Sequence, residues 1–296
     1  MGMWEIAYMA GPTCVLLLML PETYGPALRA KRNKMLRDEG RKATGRSEHQ
    51  AEARGHLQAL LSSLLDAVVV PVHIVILDPA VAVVNLYTSF IYSTYYTLFD
   101  AIPRVYPVRY GFSAGELGLS FLHVFVACVV AGLIYNAYVY YILNLAVAQK
   151  RLTSHEDLLR LALIACFLPP FGLFLFAWTS DGDVHWLVGL FGLTLFAMGT
   201  FTILQCLSVY LPCIYPMYSA SLFASNDFCR SSLATGAIHF GVPLYHNLGI
   251  AHGVSVLAGL SVMGTPGMWF MYWKGASLRA KSRFVEYKLA LEVTSL

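Results

Sequence analysis

Charge is scarce in this sequence. Asp, Glu, Lys and Arg make up 12% of its 296 residues, about half the share of an ordinary soluble domain, and that scarcity excludes a fully solvated globular surface. No GxxxxGK[ST] run exists to cradle a phosphate, which excludes direct coupling to ATP. CxxC pairs and Cys/His ligand spacings are absent as well. Cys14, Cys128, Cys166, Cys206, Cys213 and Cys229 lie mostly inside apolar runs and read as core thiols, neither disulfides nor metal ligands. No N-x-[ST] sequon occurs, and the first residues lack the basic stretch and small-residue cleavage site of a signal peptide. No nucleophile and base stand at an informative spacing, so neither an enzyme nor a cofactor is expected. A formal charge of +3, with the basic residues beside apolar runs rather than on one amphipathic surface, does not suit nucleic acid.

What is present is hydrocarbon. Hydrophobic residues reach 57% and mean hydropathy is +0.60, and uncharged runs of about 18 residues or more match a bilayer core about 30 Å thick. The sequence predicts an all-α, multi-pass membrane protein with seven crossing segments, roughly 4–20, 80–99, 117–143, 158–178, 186–209, 219–246 and 250–273. The sixth is the least apolar, because it contains Asn226, Asp227 and Arg230.

Lys and Arg are retained preferentially on the cytoplasmic side of a membrane. If seven spans alternate, the nine basic residues from Arg29 to Arg54 share a side with Lys150, Arg151 and Arg160 and with the five from Lys274 to Lys288. Only Arg104 and Arg109 fall opposite, beside Asp100, Glu116, Asp181 and Asp183. The expected orientation is N-terminus out and C-terminus in. The expected organisation is a first helix over 1–21, a basic cytoplasmic linker over 22–78, a six-helix bundle over 79–273 and a cytoplasmic tail over 274–296. Within the linker, 60–70 is apolar but interrupted by Ser62, Ser63 and Asp66, which suits an interfacial helix or a plain tether.

Polar groups inside a span are costly unless they face a cavity or a partner, and that cost ranks the candidates. Asn85, Ser89, Tyr92 and Tyr96 follow i, i+4, i+7 and i+11 and share one helical face. Such a face suits an amphipathic organic substrate, with helix packing as the alternative. Gln205 lines the same cavity or bonds to a neighbouring helix. His123 relays a proton or satisfies a nearby carbonyl. Asp227 and Arg230, three residues apart, can pair on one face. Gly189, Gly192, Gly199, Gly259, Gly264 and Gly267, with Pro169, Pro170 and Pro266, permit close helix approach or local bends.

One external span, a long basic linker and six further spans make an odd plan for a complete protein and a natural one for part of a twelve-span protein. The residues Pro21, Glu22, Thr23 and Tyr24, followed by Pro26, Leu28, Arg29, Lys31 and Arg32, resemble the end of the sixth helix in the fungal drug:proton antiporters of the major facilitator superfamily. LYTSFIYSTYYTLFDAIPRVY from Leu86 resembles that family's seventh helix, and YGFSAGELGLSFL from Tyr110 the start of its eighth. GLFLFAWTS from Gly172 resembles the end of the ninth, and NDFCRSS from Asn226 with GVPLYHNLGI from Gly241 the eleventh. KGASLRAKSRF from Lys274 is similar to the cytoplasmic tail. The resemblance covers nearly the whole chain, in order, and implies the C-terminal half of the major facilitator fold.

It further implies proton-coupled efflux of drugs or secondary metabolites across the plasma membrane. The implied partners are the bilayer, a small amphipathic organic substrate and protons, with an N-terminal half or a second copy supplying the other bundle. Asp227 and Arg230 match the family's polar step near the cytoplasmic start of the eleventh helix, which implies a gate or ion pair. The chain departs from the family where a PE-x-RL pattern is usual and His155, Glu156, Asp157, Leu158 and Leu159 stand instead, and where Ser93 replaces the glycine after the seventh-helix tyrosine. The family's first five helices have no counterpart here, so the alternative expectation is an inactive half-transporter or a membrane partner of an intact carrier.

Overall fold

The computed structural model describes residues 71–144, 155–215 and 218–280, all within one compact unit. The expected first helix over 1–21, the Pro21–Tyr24 motif, the linker up to residue 70 and the tail beyond residue 280 lie outside the described residues.

Every regular element among the described residues is helical. A short helix α1 (Pro71–Leu77) meets α2 (Pro79–Tyr110) at a bend of 107°. The corner is chemical. Asp78 is the N-cap of α2, its carboxylate accepts from the backbone amides of Ala80 and Val81 at 2.8 and 3.1 Å, and Pro79 needs no amide partner at the first helical position. Tyr215 donates its hydroxyl to the same carboxylate and ties this corner to the end of another helix. α2 runs past the expected limit at residue 99 and carries Pro103 and Pro107 internally, so Asp100 and Arg104, expected beyond the span, form an i, i+4 ion pair at 3.1 Å on the helix itself.

α3 (Ala114–Ser120) starts from a capping box, in which the Ser113 amide donates to Glu116 at 2.8 Å and the Glu116 amide donates to Ser113 Oγ at 3.4 Å. A turn at Phe121 leads into α4 (Leu122–Tyr138), which ends in a π-turn over Val139–Leu143. A 3₁₀ turn over His155–Leu159, α5 (Arg160–Ala165) and α6 (Leu168–Thr179) together make a broken span, the break preceding Pro169 and Pro170. α7 (Trp186–Ile214) is continuous.

The last element, α8 (Ser219–Ala280), is two helices joined at Gly249, whose φ of 76° and ψ of 170° leave the helical region. A Cβ on Gly253 would lie 2.8 Å from the Tyr245 ring, whereas eight residues of unbroken helix would separate them by about 12 Å. The chain therefore reverses at Gly249. Along the first arm (219–248), Ser225 meets Asn85 and Gly241 meets Thr97, so this arm runs parallel to α2. Along the second arm (250–280), Gly264 meets Tyr87 nearer the start of α2, so that arm runs antiparallel.

Two apolar layers stack along the bundle. One contains Val81, Val84, Leu159, Leu207, Tyr210 and Met268, the other Leu98, Ile102, Phe176, Phe196, Leu244 and Val254. By length and composition the crossing helices include Ala114–Leu143, Asp157–Thr179, Trp186–Ile214 and the Ser219–Gly275 stretch, with the bent α1 and α2 as a further broken span. Each arm of α8 has about 30 residues, or about 45 Å of helix, ample for a bilayer core. The protein is an all-α, multi-pass membrane protein.

Candidate functional site

The polar face expected on α2 divides in two. Its lower half is spent on helix packing. Asn85 is 1% exposed; its amide nitrogen donates to Ser225 Oγ at 3.3 Å, and its oxygen accepts from the Asn226 amide at 2.9 Å. Asn226 also donates to Thr88 Oγ1 at 2.7 Å, while Thr88 donates back to the Val84 carbonyl. Ser89, one turn on from Asn85, is 3% exposed, and its Oγ meets no hydrogen-bond partner.

The upper half is open. Tyr92 and Tyr96 are half-buried, their hydroxyls lie 3.1 Å apart and their rings tilt at 57° with centroids at 4.9 Å. Across from them, on the first arm of α8, the Arg230 guanidinium lies 4.8 Å from the centre of the Tyr92 ring. Arg230 also donates to Asp227 three residues earlier, as expected from the spacing. The two charges differ in access: the Arg230 side chain is 24% exposed and that of Asp227 65%. The Arg230 Nε is buried without a partner. Tyr92, Tyr96, Asp227 and Arg230 thus form one cluster, an aromatic pair facing a charge pair. Cation–π contact of this kind contributes roughly 0.5–2 kcal/mol, more as water is excluded.

The remaining candidates stand apart. His123 is buried on α4 beside Tyr95, Phe99 and Phe196, and its Nδ1 lies 2.7 Å from the Ser120 carbonyl oxygen. Gln205 is half-buried on α7. At the corner where the family's usual pattern is missing, the buried Asp157 accepts from Arg160 at 2.7 Å.

Sequence reasoning missed Thr88 and Ser225 as members of the buried network, because Ser and Thr in a membrane helix can satisfy their own preceding turn and give no sign of a partner. It also missed the Asp78 cap and its link to Tyr215. The cap was legible as Asp before Pro; the link, across 137 residues, was not. Among the described residues no group of three or more His, Cys, Asp or Glu side chains is placed to hold a metal ion.

Over 288 residues, 96% of the chain, the sequence is 39% identical to the MFS-type transporter pyvG of Aspergillus violaceofuscus, covering 52% of that protein. It is 33% identical over 293 residues to the cycloheximide resistance protein of Candida maltosa, covering 95% of the chain and 52% of the relative. It is 32% identical over 297 residues to fluconazole resistance protein 1 of Saccharomyces cerevisiae, covering 96% of the chain and 52% of the relative. The chain spans about half the length of the curated relatives it matches. No family model matches the chain. No solved structure matches it.

Proposed function

We propose, from the premise that this chain is a relative of the fungal major-facilitator-type drug-resistance transporters and corresponds to about half of one, that it forms the C-terminal bundle of a proton-coupled exporter of small amphipathic organic molecules. The observation that carries the reading is the Asp227–Arg230 pair set against Tyr92 on the flank of the bundle. Charged groups within a span persist where they face a cavity or another bundle, and mark substrate or ion pathways. Facilitator-type carriers bind substrate near the midplane, between two such bundles.

On this reading Tyr92 and Tyr96 offer ring faces and hydroxyls to the substrate. Arg230 rests on Tyr92 when no substrate is bound, with its charge balanced by Asp227. The buried Asn85, Thr88, Ser225 and Asn226 network holds α2 and the first arm of α8 in fixed register, so the two move as one body when the halves rock. The relatives named for cycloheximide and fluconazole resistance support drugs as the substrate class, and efflux as the direction rests on the resemblance. Proton coupling and the plasma membrane are parts of the same proposal and rest on the resemblance; cavity lining by Gln205 and a proton relay at His123 are further parts of it and rest on the cost of a polar side chain inside an apolar span.

A second reading, the alternative already drawn from the sequence, has the chain transport nothing by itself and serve as membrane partner of a separate bundle or of an intact carrier. Expression in a drug-sensitive yeast, with and without a co-expressed N-terminal bundle, separates the two. The carrier reading expects raised cycloheximide or fluconazole tolerance and proton-gradient-dependent dye efflux when both bundles are present. Failure in that pairing, with both bundles in the membrane, overturns it.

A further inference from the structure

The broken span of α5 and α6 exposes one residue per turn: Arg160, Ile164, Phe167, Phe171, Phe174 and Trp178. Spacings of three and four residues set these on a single ridge, which rises about 27 Å, close to the thickness of the hydrocarbon core. It starts at a cation and ends at an indole. The second arm of α8 carries a ridge of the same kind, exposing Val256, Leu260, Met263 and Phe270, with His252 at one end and Trp273 and Lys274 at the other.

The two ridges run side by side in opposite directions. Trp178 meets His252 at one end, with ring centres 6.5 Å apart. Midway, Thr265 donates to the Cys166 carbonyl at 3.3 Å. At the other end the Tyr272 hydroxyl lies within hydrogen-bonding reach of Arg160. Arg160 and Lys274 therefore stand at the same end of the pair, and the preference of Lys and Arg for the inner side makes that end cytoplasmic.

Hydrocarbon is the neighbour these ridges suit. No Asp, Glu, Lys, Arg or His occurs from residue 161 to 178 or from 253 to 273, and every exposed side chain in those stretches is apolar. The cluster suited to a companion bundle, Tyr92 with Asp227 and Arg230, lies on α2 and the first arm instead. The cytoplasmic end adds a headgroup's partners. Asp157, itself buried, accepts from Arg160 at 2.7 Å and fixes the guanidinium, whose side chain stays 56% exposed and has further N–H donors. On the other ridge Trp273 stands beside Lys274, its ring 5.6 Å from that of Trp269. Between Asp227 and Glu286 the sequence contains no acidic residue, while Lys274, Arg279, Lys281 and Arg283 fall together near the end of that stretch. Apolar ridges that end in an excess of cations are complementary to the anionic lipids of a cytoplasmic leaflet.

We infer that the cytoplasmic end of this helix pair binds an anionic phospholipid, its headgroup between Arg160 and Lys274, with Tyr272 and Trp273 as donors and the acyl chains along the two ridges. The site requires no transport activity and is independent of the carrier reading.

Tryptophan quenching by brominated phospholipids tests it. The full chain is placed in bilayers of phosphatidylcholine and phosphatidylserine with bromine on one lipid or on the other. Bromine quenches only the indoles it touches, so Trp273 and Trp269 report the site above a background from the other tryptophans. The ratio of binding constants, serine over choline, is expected to be at least about threefold for the parent and about one for the Arg160→Gln/Lys274→Gln double variant. Lys274→Gln alone, which breaks no bond among the described residues, is expected to lose part of the preference and stands in should the double variant fail to fold. A parent ratio of one, or a Lys274→Gln ratio equal to the parent's, overturns the site. The measurement is repeated with the companion bundle co-expressed. An unchanged ratio supports the site, whereas its loss would mean that the bundle covers these ridges and would overturn it.

Discussion

Gly192 and Gly172 bring the backbones of α7 and α6 into direct contact: a Cβ on Gly192 would sit 2.7 Å from the Gly172 carbonyl oxygen and 2.9 Å from the Phe176 amide nitrogen. Neither atom belongs to a flexible side chain, so relief requires the helices to part. Gly192→Ala is expected to destabilise the bundle by about 1–3 kcal/mol, the range for overpacking a fitted contact. Gly259→Ala, with nothing within 4 Å, is expected to leave stability unchanged or slightly raised. Thermal unfolding in detergent compares the two. Equal midpoints would refute the contact.

The Asn85–Asn226 bond links α2 to α8 within a buried network. Asn226→Ala strands the Asn85 oxygen and removes a donor from Thr88, and is expected to cost about 1–2 kcal/mol, the upper range for polar contacts between membrane helices. A double-mutant cycle with Asn85→Ala should return a coupling of at least about 0.5 kcal/mol. Additive losses would mean that the two side chains do not share a bond.

Tyr92 has two separable functions, a ring beneath Arg230 and a hydroxyl beside Tyr96. Tyr92→Phe keeps the ring and is expected to hold dye efflux within about threefold of the parent. Tyr92→Ala and Arg230→Gln remove the stacked pair and are expected to cut efflux about tenfold or more, which corresponds to about 1.4 kcal/mol of lost interaction. If Tyr92→Ala transports as well as Tyr92→Phe, the ring plays no part.

Gly249 has a backbone conformation that only glycine adopts freely. Gly249→Ala is expected to cost about 1–3 kcal/mol of strain at the reversal, read as a lower unfolding temperature. Gly236→Ala, in the first arm with open space around it, is the control and is expected to be neutral or stabilising. A Gly249→Ala protein as stable as its parent would mean that the turn can be made another way.

At the head of α2, Asp78→Asn is expected to keep most of the cap, since an amide oxygen also accepts from Ala80 and Val81, while weakening the bond from Tyr215. Asp78→Ala removes both and should cost about 1–2 kcal/mol. Tyr215→Phe should reproduce only the smaller loss. Melting curves that rank Asp78→Ala as no worse than Tyr215→Phe would contradict the capping role.

Much of this was legible residue by residue. The reversal near Gly249 falls in the gap expected between residues 246 and 250, because Asn-Leu-Gly interrupts two apolar runs. The i, i+3 spacing of Asp227 and Arg230 already allowed their pairing. Other features were not legible. Asn85 and Tyr92 share a helical face by periodicity, yet one is sealed against Ser225 and Asn226 while the other meets Arg230 at the edge. Periodicity assigns a direction around the helix axis; it cannot say how far up that face a neighbouring helix extends.

The sequence by itself determined that the chain is helical, that it crosses a membrane several times and where its charges are confined, since these follow from the cost of charge in hydrocarbon and from local backbone geometry. Tertiary structure alone decided which polar groups are spent inside the bundle and which are left at its surface. Asn226 finds Asn85 across 141 residues of chain, whereas Ser231 and His239 on the same arm remain exposed. The physical reason is that a polar side chain in an apolar medium bonds to whatever packing brings within about 3 Å, and sequence spacing does not set that distance between helices.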